Sequence, residues 1–408
     1  DAELDVLVDG SRIAGVGRDL AAEGARRLDC RGSYVLPGLV DLCSVLGEPG
    51  MAWRETLQTG AQAAAAGGFT TVVASPATDP VVDRESTAVD CVARMKNIED
   101  AELLQAGALT MGLDGKELAE LGLMLEAGCV VLSDGGRGIA DSLVLRNALD
   151  YVRAFSGLVV HRPVDPVLEG RGCMHEGETS TRIGLHGVPG EAEEIGVARA
   201  ICLARLTGAR IHLSHVTTRA SLVWLRRARE EQLPVTAGVP ARHLLLTDRD
   251  VEQSGYDPSF HLAPPLRPEA DRLALVEAVR SGLVDCVHAD HVPWSRVEKE
   301  HEFARTEPGA VGLESALAAA WTALGTDPAT VARSMAVNPA ALLGRTPRIE
   351  EGARADLCVV REGPRTVSAS RRSLGCNEPL VDREVNAAVV ATISRGHLAA
   401  FLEGIVIA

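Results

Sequence analysis

Four residues in this chain have the types and the settings for metal chemistry. Asp134 stands in "LSDGG", His161 in "VVHRP", His215 in "LSHVTT" and Asp290 in "HADHVP". Each closes a short apolar run. Two imidazoles and two carboxylates make a donor set suited to zinc, and zinc would supply hydroxide near neutral pH by acidifying a bound water. Taken singly, each residue reads more simply as a hydrogen-bonded structural group. Four of them at the ends of separate runs read as one site. If they cluster without metal, the two carboxylates repel, and at least one is expected to titrate above its ordinary range. The run "YVLPGLVDL" leads instead into Cys43, Ser44 and Val45. Of these, Cys43 could ligate as a thiolate and Val45 could not.

Positioning such a set requires several strands that end on one face. Eight short runs rich in Val, Ile or Leu meet that need: "YVLPGLVDL", "FTTVVAS", "GALTMG", "CVVLSD", "GLVVH", "ARIHLSHV", "PVTAGV" and "VDCVHAD". They lack period-2 alternation, as strands buried on both faces do. Helical patterns separate them, among them "WRETLQTGAQAAAAGG", "AEEIGVARAICLARLTG" and "RASLVWLRRAREEQL". In the second, Ile195, Ala198, Ile201, Cys202 and Arg205 follow a helical period, with Gly208 as the stop. Eight strands alternating with helices predict an α/β fold, a (β/α)8 TIM barrel, whose chemistry lies at the C-terminal ends of its strands. "LDVLVDGSRIAGVG" reads as a hairpin, and "ADLCVV", "NAAVVATISRG" and "HLAAFLEG" read as further strands. Residues 1–34 and 348–408 are therefore expected to form one small composite β domain beside a barrel of residues 35–347.

The chain has 408 residues, 46% of them hydrophobic and 24% charged, with 3% aromatic residues. That describes a globular protein whose core is built from aliphatic side chains. A net charge of −15 excludes a general nucleic-acid-binding surface, which needs a positive field. Nine cysteines, at positions 30, 43, 91, 129, 173, 202, 286, 358 and 376, show no CxxC spacing. They read as reduced and mostly buried thiols, consistent with a cytoplasmic location. No apolar run has the length of a membrane span, and there is no signal-peptide pattern. The opening "DAELDVLVDG" starts mid-flow, which leaves the position of the natural start open.

The chain resembles bacterial dihydroorotases of the amidohydrolase superfamily, of the type that partners aspartate transcarbamoylase. The resemblance spans nearly the whole chain. It is carried by "LPGLVDL…EPG" (36–50), "AAGGFTTVVASPATDPVVD" (65–83), "HEGETSTRIGLHGVPGEAEE" (175–194), "LTGARIHLSHVTT" (206–218), "VTAGVPARHLLLTD" (235–248), "APPLRPEADR" (263–272), "VDCVHADHVP" (284–293) and "EPGAVGLESAL" (307–317). It implies a metal-dependent barrel that opens and closes a cyclic amide. It also implies that Asp134 matches the bridging aspartate, that His161 and His215 match ligands of the second metal, and that Asp290 matches the metal-binding proton shuttle.

Several family positions are changed. Cys43 and Val45 stand where two metal-binding histidines belong, and Gly47 where an arginine grips the substrate carboxylate. Ala77 and Ala263 replace asparagines, and Trp294 replaces a histidine. A charge-assisted hydrogen bond contributes roughly 1.5–3 kcal/mol. Loss of the arginine and an asparagine therefore weakens the substrate contact by about two to four powers of ten. The leading expectation is a dihydroorotase homologue without dihydroorotase activity. It would assemble with or regulate aspartate transcarbamoylase, as a homodimer or within a hetero-oligomer, and would hold no zinc or a single zinc rather than two. The alternative is a one-metal hydrolase of another cyclic amide or imide, using Asp134, His161, His215 and Asp290. A thiol enzyme built on Cys43 near His215 is a third reading, weaker because nothing in the sequence lowers that thiol's pKa.

Overall fold

The computed structural model describes residues 3–21 and 24–401. Sixteen strands are numbered along the chain. The hairpin β1 (Asp5–Asp9) and β2 (Arg12–Gly17) is antiparallel and turns at Gly10 and Ser11. β3 (Tyr34–Pro37) is followed at once by the first barrel strand, β4 (Leu39–Ser44). The barrel continues through β5 (Phe69–Ala74), β6 (Glu102–Ala108), β7 (Val131–Ser133) and β8 (Val159–His161). A short parallel pair, β9 (Met174–His175) and β10 (Gly187–Val188), interrupts it. β11 (Ile211–Leu213), β12 (Val235–Pro240) and β13 (Cys286–His288) complete the eight.

These eight strands pair in parallel, in the order in which they occur from β4 to β13. A parallel bridge between Ser44 and His291 joins the last to the first. The sheet is thus a closed (β/α)8 barrel. Asp41 reinforces the seam. Its fully buried carboxylate accepts hydrogen bonds from Ala289 N (2.7 Å), Cys43 N (3.0 Å) and Ser44 Oγ (2.7 Å). The third strand lies earlier than "GALTMG" suggests, since only Gly107 and Ala108 of that run belong to β6.

Helices cover the outside. Leu57–Ala66 is started by a capping box between Thr56 and Thr59 and stops at Gly67. Gly190–Thr207 ends on left-handed Gly208. The apolar period marks the helix and its stop but not its buried side, of which it includes only Ile201. Ile195 and Cys202 are exposed, and the buried stripe is Ala192, Gly196, Val197, Ala200, Ile201 and Ala204. Small residues let the helix lie close to the barrel wall, so packing favours that side over the bulkier Ile195.

β14 (Leu357–Thr366), β15 (Glu384–Ser394) and β16 (His397–Phe401) form an antiparallel sheet. β3 adds to β14, with Tyr34 to Pro37 facing Val360 to Leu357. The expected boundary at residue 34 therefore falls inside β3, and both ends of the chain contribute to this sheet. Among the described residues, no helix is long and apolar enough to cross a membrane.

Candidate functional site

The barrel brings the four sequence-selected residues to one mouth, where they combine in pairs. His161 is the last residue of β8, and its Nδ1 stands 2.6 Å from Asp134 Oδ2, just beyond β7. Asp134 also accepts from Arg162 N (2.9 Å) and Gly136 N (2.9 Å). His215, two residues past β11, places Nε2 3.0 Å from Asp290 Oδ1, while its Nδ1 is 2.6 Å from Ser214 Oγ. All four side chains are buried.

The expectation of a raised carboxylate fails at Asp290. Burial pushes its carboxyl up, but the charges of His215 and Arg242, with His243 beside them, outweigh burial and hold it well below the ordinary range. Arg242 and His243 sit in the turn Ala241–Leu244 that follows β12. Burial presses His243 down to about 3, and its Nε2 donates to Pro264 O at 3.1 Å. Sequence reasoning passed over both residues, although "PARHL" lies in a quoted motif and offers two basic side chains immediately after a barrel strand.

Cys43 is still within β4, and Val45 is one residue past it. Burial, then the negative charges of Asp41, Asp290 and Asp134, push the Cys43 thiol well above its ordinary value. A raised thiol pKa argues against a cysteine nucleophile at this mouth. Val45 N donates to His291 O at 2.7 Å. Gly47 is enclosed by backbone. A Cβ there would stand 2.5 Å from the Glu55 carbonyl oxygen and closer still to that of Met51.

The segment after Gly47 is anchored from below. Glu55 is fully buried. Its carboxylate faces His291 Nε2 (3.2 Å) and accepts from Leu374 N (3.2 Å), Ser373 Oγ and Thr59 Oγ1. Burial raises this carboxyl, but His291 and the hydroxyl donors together leave it below its ordinary value. Trp294 is anchored as well. Its N and Nε1 donate to Asn377 Oδ1 (2.9 Å) and Pro308 O (3.1 Å), and the Arg54 guanidinium covers its ring at 4.0 Å. Arg54 is in turn paired with Glu298 at 2.6 Å. Ala77 and Ala263 are half-buried and bring no polar group to the mouth.

A second buried pair lies deeper in the barrel. His212 Nε2 is 2.8 Å from His288 Nε2, and His212 Nδ1 is 2.9 Å from Thr236 Oγ1. Burial lowers both imidazoles, His288 to about 4. A cavity of about 10 Å³ borders His215, Pro264 and Arg267, room for roughly one water.

The residues present do not fit a family-type metal centre. Among the described residues, no three His, Cys, Asp or Glu side chains stand together as an ion would require. His161 Nε2 is buried without a hydrogen-bond partner, one unengaged donor where a two-metal centre needs several.

Comparison with known proteins places the chain in a family. Residues 32–221 match the family model described as Dihydro-orotase-like. The chain is 40% identical to a dihydroorotase of Anaeromyxobacter dehalogenans over 98% of its own length and 94% of the relative's. It is also 40% identical to a dihydroorotase of Streptomyces coelicolor, over 96% and 94% of the two chains. Among solved structures, dihydropyrimidinase from Brevibacillus agri superposes with a TM-score of 0.84 at 22% identity, covering 99% of this chain and 93% of that one. L-hydantoinase from Arthrobacter aurescens gives the same TM-score and identity over 99% and 94%. These structural matches speak for the fold.

Proposed function

The chain belongs to the dihydroorotase-like family, and from that premise we propose that it is a member without dihydroorotase activity that serves as a non-catalytic partner of aspartate transcarbamoylase. The observation that carries the loss of activity is the turn after β4. Cys43 and Val45 offer no imidazole, and at Gly47 the backbone of Met51 and Glu55 occupies the space a side chain would need. An arginine clamp is absent there and has no room to return. Substrate alignment of that kind governs rate steeply, so its loss weighs independently of the metal.

The partnership is supported by the resemblance of the motifs to the transcarbamoylase-associated type, and by a barrel whose seam and mouth are fully specified. The test has two arms. The purified protein is assayed for dihydroorotate hydrolysis, and it is sedimented with aspartate transcarbamoylase. The expectation is no hydrolysis above background, together with co-sedimentation. Ring opening at a rate typical of enzymes, about 1 s⁻¹ or faster, would sink the first part. Independent sedimentation of the two proteins would sink the second.

The unpartnered His161 Nε2 favours a second reading, a one-metal hydrolase of a neutral cyclic amide. About one zinc per chain retained through purification would support it, because a functional zinc site holds its metal tightly.

A further inference from the structure

The mouth of this barrel contains a cation of its own. Arg242 is buried, with 3% of its surface exposed. Its Nη2 donates to Ala289 O (2.9 Å) and Asp290 O (2.8 Å), and lies within 3.4 Å of Ala310 O and Val311 O. This fixes the guanidinium against the end of β13. Its Nη1 has no hydrogen-bond partner among the described residues and stands 3.6 Å from Asp290 Oδ2. The space for this group is made by Gly312. A Cβ at that position would stand 2.5 Å from Nη2.

Around it the acidic groups are matched one by one. Asp290 has His215 and Arg242, Asp134 has His161 Nδ1 and two backbone amides, and Asp41 has Ala289 N, Cys43 N and Ser44 Oγ. Buried carboxylates must be paired or bound to metal. Here the chain's own donors meet the requirement.

We propose that Arg242 takes the place of a metal ion at the barrel mouth: a fixed guanidinium that neutralises Asp290 and excludes divalent cations, so that the fold is independent of metal. This deepens the functional reading above and rests on its view that the metal centre is lost. A divalent ion beside Asp290 would stand within a few ångströms of a buried positive charge, and at short range in a low-dielectric site that repulsion is large.

The probe is zinc(II) itself, with wild type, Arg242→Gln, Arg242→His and Arg242→Lys. Zinc is measured by elemental analysis after equilibration, and unfolding midpoints are recorded with and without chelator. Wild type and Arg242→Lys are expected to hold less than about a tenth of a zinc per chain, with midpoints unmoved by chelator. Arg242→His, which removes the charge and adds a donor, is expected to bind zinc at least about tenfold more tightly than wild type. Stoichiometric zinc in wild type overturns the proposal. So does a folded Arg242→His protein that binds zinc no better than wild type. If the two neutral variants do not fold, Arg242→Lys decides. A folded, zinc-free lysine variant shows that the charge is what the mouth requires, and a folded one that takes up zinc stoichiometrically shows that it is not. Zinc in an inactive wild type defeats this proposal and leaves the functional reading standing. Hydrolysis by zinc-free wild type does the reverse.

Discussion

Removing the Glu55 carboxylate tests how the loop after the first barrel strand is held. Glu55 has no exposed surface and faces four partners, His291 Nε2, Ser373 Oγ, Thr59 Oγ1 and Leu374 N. It links the loop after β4 to the loop after β13 and to the segment that precedes β15. Glu55→Ala leaves these donors buried and unmatched. Leaving buried donors to a carboxylate unmatched costs roughly 1–3 kcal/mol each, so the alanine variant is expected to lose about 3 kcal/mol or more. Glu55→Gln keeps the shape and loses the charge, and should fall between the alanine variant and wild type. Urea unfolding followed by tryptophan fluorescence at neutral pH measures both differences.

The pH dependence has a definite sign. The folded-state carboxyl lies below its ordinary value, so its contribution is present above the unfolded pKa of about 4.3 and is lost as pH falls through the folded one. The advantage of wild type over Glu55→Gln should therefore hold from pH 7 to 5 and shrink below about 4.3. An alanine variant within about 0.5 kcal/mol of wild type, inside the range of an ordinary surface change, would refute the view that this carboxylate anchors the loop.

Other outcomes follow from the same geometry. Gly47→Ala forces a methyl against two carbonyl oxygens and should cost about 1–3 kcal/mol in a thermal or urea denaturation experiment, whereas an innocuous alanine would show that the turn is slack. Cys43, pushed well above the ordinary thiol value, should resist alkylation at pH 8 in the folded protein, under conditions in which exposed Cys202 is labelled; mass spectrometry of the peptides decides. His288 is held neutral down to about 4, while the unfolded chain takes up a proton near 6.5. The unfolded state therefore binds more protons between those values, and stability falls as pH drops from about 6.5 towards 4. His288→Asn should flatten that acid slope in pH-dependent urea unfolding.

The barrel is legible in the sequence because strands buried on both faces must be apolar throughout, and eight such runs stand out against helical spacing. Two details are not legible for physical reasons. β6 begins at Glu102, whose charge is answered by Arg345 (2.6 Å) and Arg354 (2.7 Å), so a polar residue opens a strand where pattern alone looks for an apolar one. The helix Gly190–Thr207 carries apolar residues on two sides, and apolarity cannot say which side faces the barrel when the choice depends on how small the side chains are. At the mouth, Asp134, His161, His215 and Asp290 are readable as residues just past apolar runs. The role of Arg242 is not, because a lone arginine gives no sign that its guanidinium points inward, and the repulsion expected of two clustered carboxylates leaves that hidden cation out of account.

The seam of the barrel bears on how the chain is made. Asp41 finds its partner amide in Ala289, 248 residues further along. At a synthesis rate of about 5–20 residues per second, that amide leaves the ribosome roughly 12–50 s after the carboxylate that needs it. Throughout that interval the Asp41 carboxylate has only its local partners, Cys43 N and Ser44 Oγ, and the contact that ties β4 to the far edge of the barrel is missing. The ring is closed by the barrel strand translated last, so the first barrel strand is the one that waits longest for its second neighbour.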